Sequence, residues 1–347
     1  MKITKLFILG LVGSFLMNSC TTDDDDMPDV VAEDDYSDGI LILNEGSQSA
    51  GTVSFLEADY SSIENNIFES VNVDMDLGLF VQSIFFDEEN AYIISNGSNL
   101  ITVVDRYTFE FKGAVDSGLN VPLFGAVSNG KAFVSNVADF ASAEDDFIAV
   151  IDLVNLEVEE TVVAGTYLSE VMVDNGLVYV EGAAYGAGNS IEVFDPASLT
   201  FTKSIPTNNA LNSFAIEGSS LFALSSTKLE RIDLNTDTVI SEIEFSENFP
   251  GVNNLDIENG MIYFTSGTSV YELNQDFEEE PTEALLSYES TSQYGQMYAF
   301  NVEDQYIYIS DAGDFASNGT VRVYTISGGL VDEFEAGIAP NGFYFND

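Results

Sequence analysis

From Gly39 to Asp347 the chain alternates short apolar or aromatic runs with turns built from Asp, Asn, Gly and Ser. Within most runs, apolar and polar residues alternate with a period of two. That period fits β-strands packed between other layers. The runs recur in a fixed order: an apolar strand, a tight turn, an aromatic strand, a loop, a strand ending near Asp, and a last alternating strand. Segments 83–115, 170–205, 213–243 and 254–279 show it plainly. A period of about 40 residues with four strands per unit is the pattern of a propeller blade.

Aligning the innermost strand of each unit gives seven copies: 81–87, 123–129, 168–174, 211–217, 252–258, 295–301 and 340–346. The last lies at the end of the sequence, while the region after Gly39 offers three strands (ILILNE, GTVSFLEA, IENNIFESVN) and no inner one. Closure solves both problems. The pattern predicts an all-β, seven-bladed β-propeller of four-stranded blades over 39–347, with the C-terminal strand completing the first blade. Asp105, Asp152, Asp195 and Asp233 recur where the third strand turns into the fourth. A short acceptor there holds the turn by bonding backbone N–H groups two residues on.

The first residues read differently. Lys2 and Lys5 precede an apolar stretch, Leu6 to Met17, that is too short to span a bilayer as a mature helix. Cys20, the only cysteine, follows directly, so no intramolecular disulfide is possible. A lone cysteine behind an apolar stretch resembles the bacterial lipobox. This predicts a lipoprotein signal peptide over 1–19, lipidation at Cys20 and an acidic tether over 20–38 carrying Asp23 to Asp26. An ordinary cleaved signal peptide is the alternative. The tether resembles the surface-export signal of lipoproteins displayed on the outer leaflet, so the expected place is the outer membrane, lipid-anchored and facing outward.

Charge narrows the partners. With 9 Lys plus Arg against 59 Asp plus Glu, the net charge is −50. Nucleic acid is bound through basic side chains, so that class is excluded, as is adsorption to anionic lipid. The chain has no histidine, which removes the usual general base and the commonest ligand of redox metals.

In a propeller the inner strands start at one mouth of the central channel. The loops between second and third strands open on that same face. The aligned starts are Gln82, Phe124, Ser169, Asn212, Asn253, Gln296 and Asn341; five of the seven are amides. Either the amides form a hydrogen-bonding ring for a polar ligand, or they cap strand starts and hold channel water. Loops 96–99, 225–227 and 266–268 are short, and 45–51, 136–146, 182–190 and 311–320 are long. Long loops on a rigid scaffold are common binding sites. Two of them share a motif, Ala138 to Ser142 and Gly313 to Ser317. Phe140 and Phe315 in these motifs, with Phe124, Tyr167, Tyr185 and Tyr294, suit an aromatic-lined bowl for a small amphipathic molecule. The other reading of Phe140 and Phe315 is that they fold back and pin their loops.

Leu43-Asn44-Glu45-Gly46 opens the first hairpin and Gly51-Thr52-Val53-Ser54 closes its loop. With the lipobox and the acidic tether, these resemble the YncE-like surface lipoproteins, over essentially all of 39–347. The resemblance implies a binding protein that captures a small-molecule nutrient, cobalamin or a siderophore-like ligand, and passes it to a TonB-dependent outer-membrane transporter. It implies no catalytic residue and no cofactor. Two alternatives stay open. One is a scaffold gripping another protein at the cell surface. The other is a calcium-dependent lactonase-type hydrolase drawing on Asp139, Asp145, Asp146, Asp311 and Asp314.

Overall fold

The computed structural model describes residues 36–346. Seven four-stranded antiparallel sheets form the ring. Blade 1 comprises strands 340–346, 39–44, 52–57 and 63–64. Blade 2 runs over 81–115, blade 3 over 122–163, blade 4 over 171–206 and blade 5 over 211–244. Blade 6 covers 252–287 and blade 7 covers 296–338. This is the architecture expected from the repeat.

The core lies between blades, because a sheet has two faces and each must be covered. Seven apolar clusters fill the seven junctions. The period-two alternation assigns each residue to one of them. In strand 39–44, Leu41 and Leu43 face blade 2 while Ile40 and Ile42 face blade 7. In strand 131–136, Val134 faces blade 2 and Phe133 faces blade 4.

Closure is as expected. Strand 340–346 pairs antiparallel with 39–44, placing Phe343 opposite Ile42 and Phe345 opposite Ile40. Asn346, fully buried, locks the end. Its Oδ1 accepts from Arg106 Nε at 2.8 Å, and its Nδ2 donates to the carbonyls of Arg106 (2.7 Å) and Tyr36 (2.5 Å).

The opening motif is structural as well. Asn44 is fully buried. Its Nδ2 donates to Ser54 Oγ at 2.9 Å and its Oδ1 accepts from Gly337 N at 3.0 Å, joining blades 1 and 7. A Cβ on Gly337 would stand 2.7 Å from the Asn44 amide carbon, so only glycine fits.

The repeated aspartates hold turns. Asp152 Oδ1 accepts from the N–H of Val154 (2.7 Å) and Asn155 (3.2 Å). Asp195 Oδ1 accepts from Ala197 N at 2.9 Å, and Asp233 Oδ1 from Asn235 N at 2.7 Å.

Two outer strands are shorter than the repeat predicts. In blade 1 the segment expected as a full strand pairs only at 63–64. Asn66 then takes a left-handed φ of 61° and a short helix, Ile67–Val71, follows. Ile67 and Phe68 on that helix are fully buried in the blade 1–2 junction, so hydrophobic burial there replaces ladder bonds. In blade 6 the outer strand is 286–287. The expected signal peptide, Cys20 and most of the tether lie outside the described residues. Among the described residues, no helix is long and apolar enough to cross a membrane.

Truncation before Pro340 is expected to abolish the cooperative unfolding transition in urea rather than fray a tail. Phe343→Ala, which empties a buried site at the closure, is expected to cost about 3–5 kcal/mol. A truncated chain with an unchanged midpoint would refute this role for the last strand.

Candidate functional site: the loop face and the central channel

A β-bulge interrupts the head of the inner strand in blades 1, 2, 3, 5, 6 and 7. In blade 4 the strand itself starts at Val171, and the Ser169 and Glu170 backbones bond Glu181 irregularly above it. The bulges turn small polar side chains toward the next blade. Asn341 Nδ2 donates to the Val81 carbonyl (3.0 Å), Asn212 Nδ2 to that of Val252 (2.9 Å), and Asn254 Nδ2 to that of Met297 (3.1 Å). Ser83 on an inner strand, and Ser135 and Ser310 on the second strands of their blades, each donate to a carbonyl of the following blade, those of Leu123, Ser169 and Pro340, at 2.6 Å. Blades 4 and 5 are joined by backbone instead, Ala210 N to the Gly188 carbonyl at 3.0 Å.

These staples alter the amide ring expected from the sequence. Asn212 and Asn341 do line the channel, together with Phe124. Gln82 does not; its Oε1 accepts from Asn96 Nδ2 at 2.8 Å. Asn253 and Gln296 line a separate cavity of about 170 Å³ between blades 6 and 7. The stapling amide of blade 6 is Asn254, one residue later than the alignment placed it. The reason is the bulge: one extra residue moves the following side chains to the other face.

The aromatic expectations also divide. Segment 182–190 is not an open loop. Strands 177–184 and 187–195 continue through it to a two-residue hairpin tip, with Ala184 opposite Ala187. Tyr185 and Gly186 form the tip with φ of 54° and 79°, the pair of positive angles a tight hairpin turn requires. Tyr185 therefore projects from the end of a paired hairpin. It is 71% exposed and packs against Phe140 of the neighbouring blade, which is 62% exposed, with ring centroids 5.9 Å apart. Tyr294, in the connection entering blade 7, is 78% exposed. Tyr167 is half-buried in the connection entering blade 4. Phe315 folds back: its ring meets Tyr298 edge-on at 5.0 Å, and Tyr298 lines the channel. Loop 311–320 likewise shortens, because strand 318–325 begins inside it.

The channel cavity is about 430 Å³. Its wall includes Glu170, Asp256, Tyr298 and Tyr344, none of which the sequence pattern had singled out. A signal was present: Asp256 stands between Leu255 and Ile257, and Glu170 directly precedes Val171-Met172-Val173. Burial pushes the Glu170 carboxyl up to about 7, and the Asp256 charge adds to the shift. Behind it, burial and then the Glu170 carboxyl hold Glu181 well above the usual range. Burial raises Asp256 too, against the bond its Oδ2 accepts from Val302 N at 2.7 Å. Under the Phe140 loop, burial pushes Asp146 up to about 6 although Leu168 N donates to it at 3.0 Å. Glu45, from the opening motif, is raised by burial and accepts a hydrogen bond from the Tyr298 hydroxyl.

A family profile described as a domain of unknown function, DUF5074, matches residues 38–345. The chain belongs to the DUF5074 family. No curated protein matches it. Among solved structures it is similar to a quinoprotein alcohol dehydrogenase-like protein from Bacteroides thetaiotaomicron, with TM-score 0.66 and 14% identity over 90% of this chain and 79% of that one. It is also similar to hydrazine synthase from Kuenenia stuttgartiensis (TM-score 0.60, 17% identity, 77% of this chain, 92% of that one). A third is BamB from Moraxella catarrhalis (TM-score 0.55, 16% identity, 88% of this chain, 85% of that one). At these identities the likeness is one of fold.

The bulge register makes a sharp prediction. Asn254→Ala is expected to destabilise the protein by about 1–2 kcal/mol through loss of the inter-blade bond. Asn253→Ala next to it is expected to stay within about 0.5 kcal/mol. Equal losses in urea denaturation would refute the assignment.

The buried acids set the pH dependence. In the folded protein Glu170, Glu181, Asp256 and Asp146 bind protons at higher pH than in the unfolded chain. Stability therefore rises as pH falls from 8 to about 5. The N–H of Val154 holds Asp152 below the usual carboxylate range, and the N–H groups of Ala197 and Ser317 do the same for Asp195 and Asp314. Their contribution is present above an unfolded pKa of about 3.9 and is lost below it. The melting temperature is expected to peak near pH 5, and Glu170→Gln with Glu181→Gln to flatten its fall toward pH 8. A wild-type midpoint unchanged between pH 5 and 8 would contradict this.

Proposed function

We propose that this DUF5074 propeller is a binding protein rather than an enzyme, and that its binding surface is the face carrying Phe140, Tyr185 and Tyr294. The single observation that supports this most is the Phe140–Tyr185 pair. Two large rings stand in water side by side, one at a hairpin tip and the other from a loop of the adjacent blade. Leaving such area exposed gives nothing to folding, so its use lies in contact with something else.

In this reading the ligand is a scarce small-molecule nutrient, cobalamin or a siderophore-like compound. The lipid anchor at Cys20 keeps the propeller at the outer membrane, facing outward, where a TonB-dependent transporter receives the cargo. The support is the lipobox-like start, the acidic tether and the YncE-like opening hairpin. A ligand with a flat apolar face and a polar periphery would stack on the aromatics and bond the loop edges.

A second reading has its own observation. Leu79 and Phe80, entering blade 2, are also exposed on this face. Their carbonyls accept from Gly97 and Asn96 of the loop beside them, so they too are held in place. Apolar groups spread across several blades fit a protein partner, making the propeller a surface scaffold.

A thermal-shift and calorimetric screen of residues 27–347 with cobalamin and ferric siderophores separates the two. Capture predicts stabilisation by one of them and a loss of affinity of at least about tenfold in Phe140→Ala/Tyr185→Ala, with an unchanged melting temperature of the free protein. No small-molecule shift, together with retention of an outer-membrane protein that the same double variant loses, would replace capture by the scaffold.

A further inference from the structure

Where blade 7 meets blade 1, a cavity of about 210 Å³ opens to water. It is bounded by the turn between the first two strands of blade 7 and the turn between the last two of blade 1, at the end of the ring away from the loop face. Four rings line it: Tyr60, Tyr306, Tyr308 and Phe345. They meet edge-on rather than stacked, Tyr60 with Tyr306 at 5.1 Å and Tyr308 with Phe345 at 5.2 Å. The Tyr60 and Tyr308 hydroxyls bond each other at 2.8 Å. Two exposed acids, Asp38 and Asp304, stand at the rim. Among the described residues no lysine or arginine lines the space.

The other blades show what usually fills this place. In blades 1 and 2 the first residue of the second strand pairs with the last of the third, Gly39 with Glu57 and Asn90 with Asp105. The residue after that pair is Ala58 in blade 1 and Arg106 in blade 2. One rung further in, the inner strand carries Phe345 opposite Ile40 and Phe86 opposite Ala91. Blades 3, 5 and 7 fill the same two positions with aliphatic pairs: Leu153 with Val127, Leu234 with Ile216 and Ile326 with Val302. Each pair belongs to one apolar cluster. Blade 2 sets a cation on a ring instead. The Arg106 guanidinium carbon lies 4.8 Å from the Phe86 centroid and 5.1 Å from that of Tyr107. Its Nε–H donates to Asn346 Oδ1 at 2.8 Å, and its Nη1 to the Asp87 carbonyl at 3.3 Å. Blade 1 keeps the ring but carries alanine where the arginine would be, and Ala58 lines the cavity.

We propose that this cavity binds the guanidinium group of a small molecule, in the place that the Arg106 guanidinium takes in blade 2. Its face would lie on Phe345 and the neighbouring tyrosines, and its N–H groups would bond the Asp38 and Asp304 carboxylates. A planar cation is suited to aromatic faces, and its fork of donors to carboxylates. An anion would meet two like charges. A bare metal ion finds no cage, because among the described residues no three acidic side chains cluster. Pockets for drug-sized ligands run to about 300–1,000 Å³. This smaller space takes a charged headgroup and a short stem. The site lies on the opposite end of the ring from Phe140 and Tyr185 and does not rest on capture there.

Titration calorimetry of the protein with methylguanidine and agmatine, at constant ionic strength, is the test. Methylurea, the uncharged counterpart of methylguanidine, is the comparison. Expected is one saturable site for the guanidinium compounds and none for methylurea. Ala58→Leu, which fills the space as blades 3 and 5 do, is expected to weaken binding at least about tenfold. Ala58→Arg, which supplies the guanidinium from the chain itself, is expected to abolish binding without lowering the melting temperature. Asp304→Asn, in an exposed turn, is expected to weaken binding and leave the melting curve unchanged. Binding that none of these variants alters would mean nonspecific attraction to a polyanion and overturn the proposal. Methylurea binding as tightly as methylguanidine would overturn it too. So would no saturable binding of either compound, which would leave the cavity a gap in packing that Ala58→Leu repairs.

Discussion

Every blade of this molecule needs a neighbour on both sides, and that requirement governs the rest. A four-stranded sheet with apolar residues on both faces cannot stand alone in water. Its alternation sends Phe133 into one junction and Val134 into the next, so each blade contributes to two of the seven clusters. Only a closed ring leaves no face uncovered. The pairing of 340–346 with 39–44 supplies the closure, and Asn44 and Asn346 surround it with buried hydrogen bonds to blades 7 and 2. The stability of the whole therefore depends on contacts between the two ends of the repeat, which are far apart in sequence.

Closure creates the central channel and the loop face as by-products. Seven inner strands meeting around an axis leave a channel, and bulges at their heads turn polar side chains into links between blades. Those links use the donors of Asn212 and Asn341 and leave their oxygens unsatisfied. The hairpin tipped by Tyr185 stands above the ring and carries its aromatic side chain into water. The same scaffold thus offers exposed aromatic rings on its loop face and a channel whose wall carries Glu170 and Asp256.

The acids follow the same logic at smaller scale. Asp152 and Asp195 lie in exposed turns where backbone N–H groups stabilise their charge. Glu170 and Glu181 lie where few donors and no cations reach, so burial raises their proton affinity. Identical side-chain chemistry has opposite consequences because the surroundings differ.

Much of this was present in the chain itself. The period-two runs, the turn residues and the seventh strand at the C-terminus determined the fold class, the blade count and the closure, because these depend only on alternation and spacing. The turn role of Asp105, Asp152, Asp195 and Asp233 was equally local. What the sequence did not determine was which side chains meet. An alignment of inner strands made Asn253 equivalent to Asn212, but a bulge is invisible to spacing and in blade 6 falls one residue later, at Asn254; Gln82 shares the bulge position of Asn212, yet its longer side chain bonds Asn96 instead. Segment 182–190 read as a loop because its glycines and polar residues hid a hairpin that only pairing reveals. The channel carboxyls came from single acidic residues in separate blades, brought together by the ring and by nothing in their local context. Local periodicity sets the elements; the direction of a side chain and the company it keeps are set by register and closure, which exist only in the folded molecule.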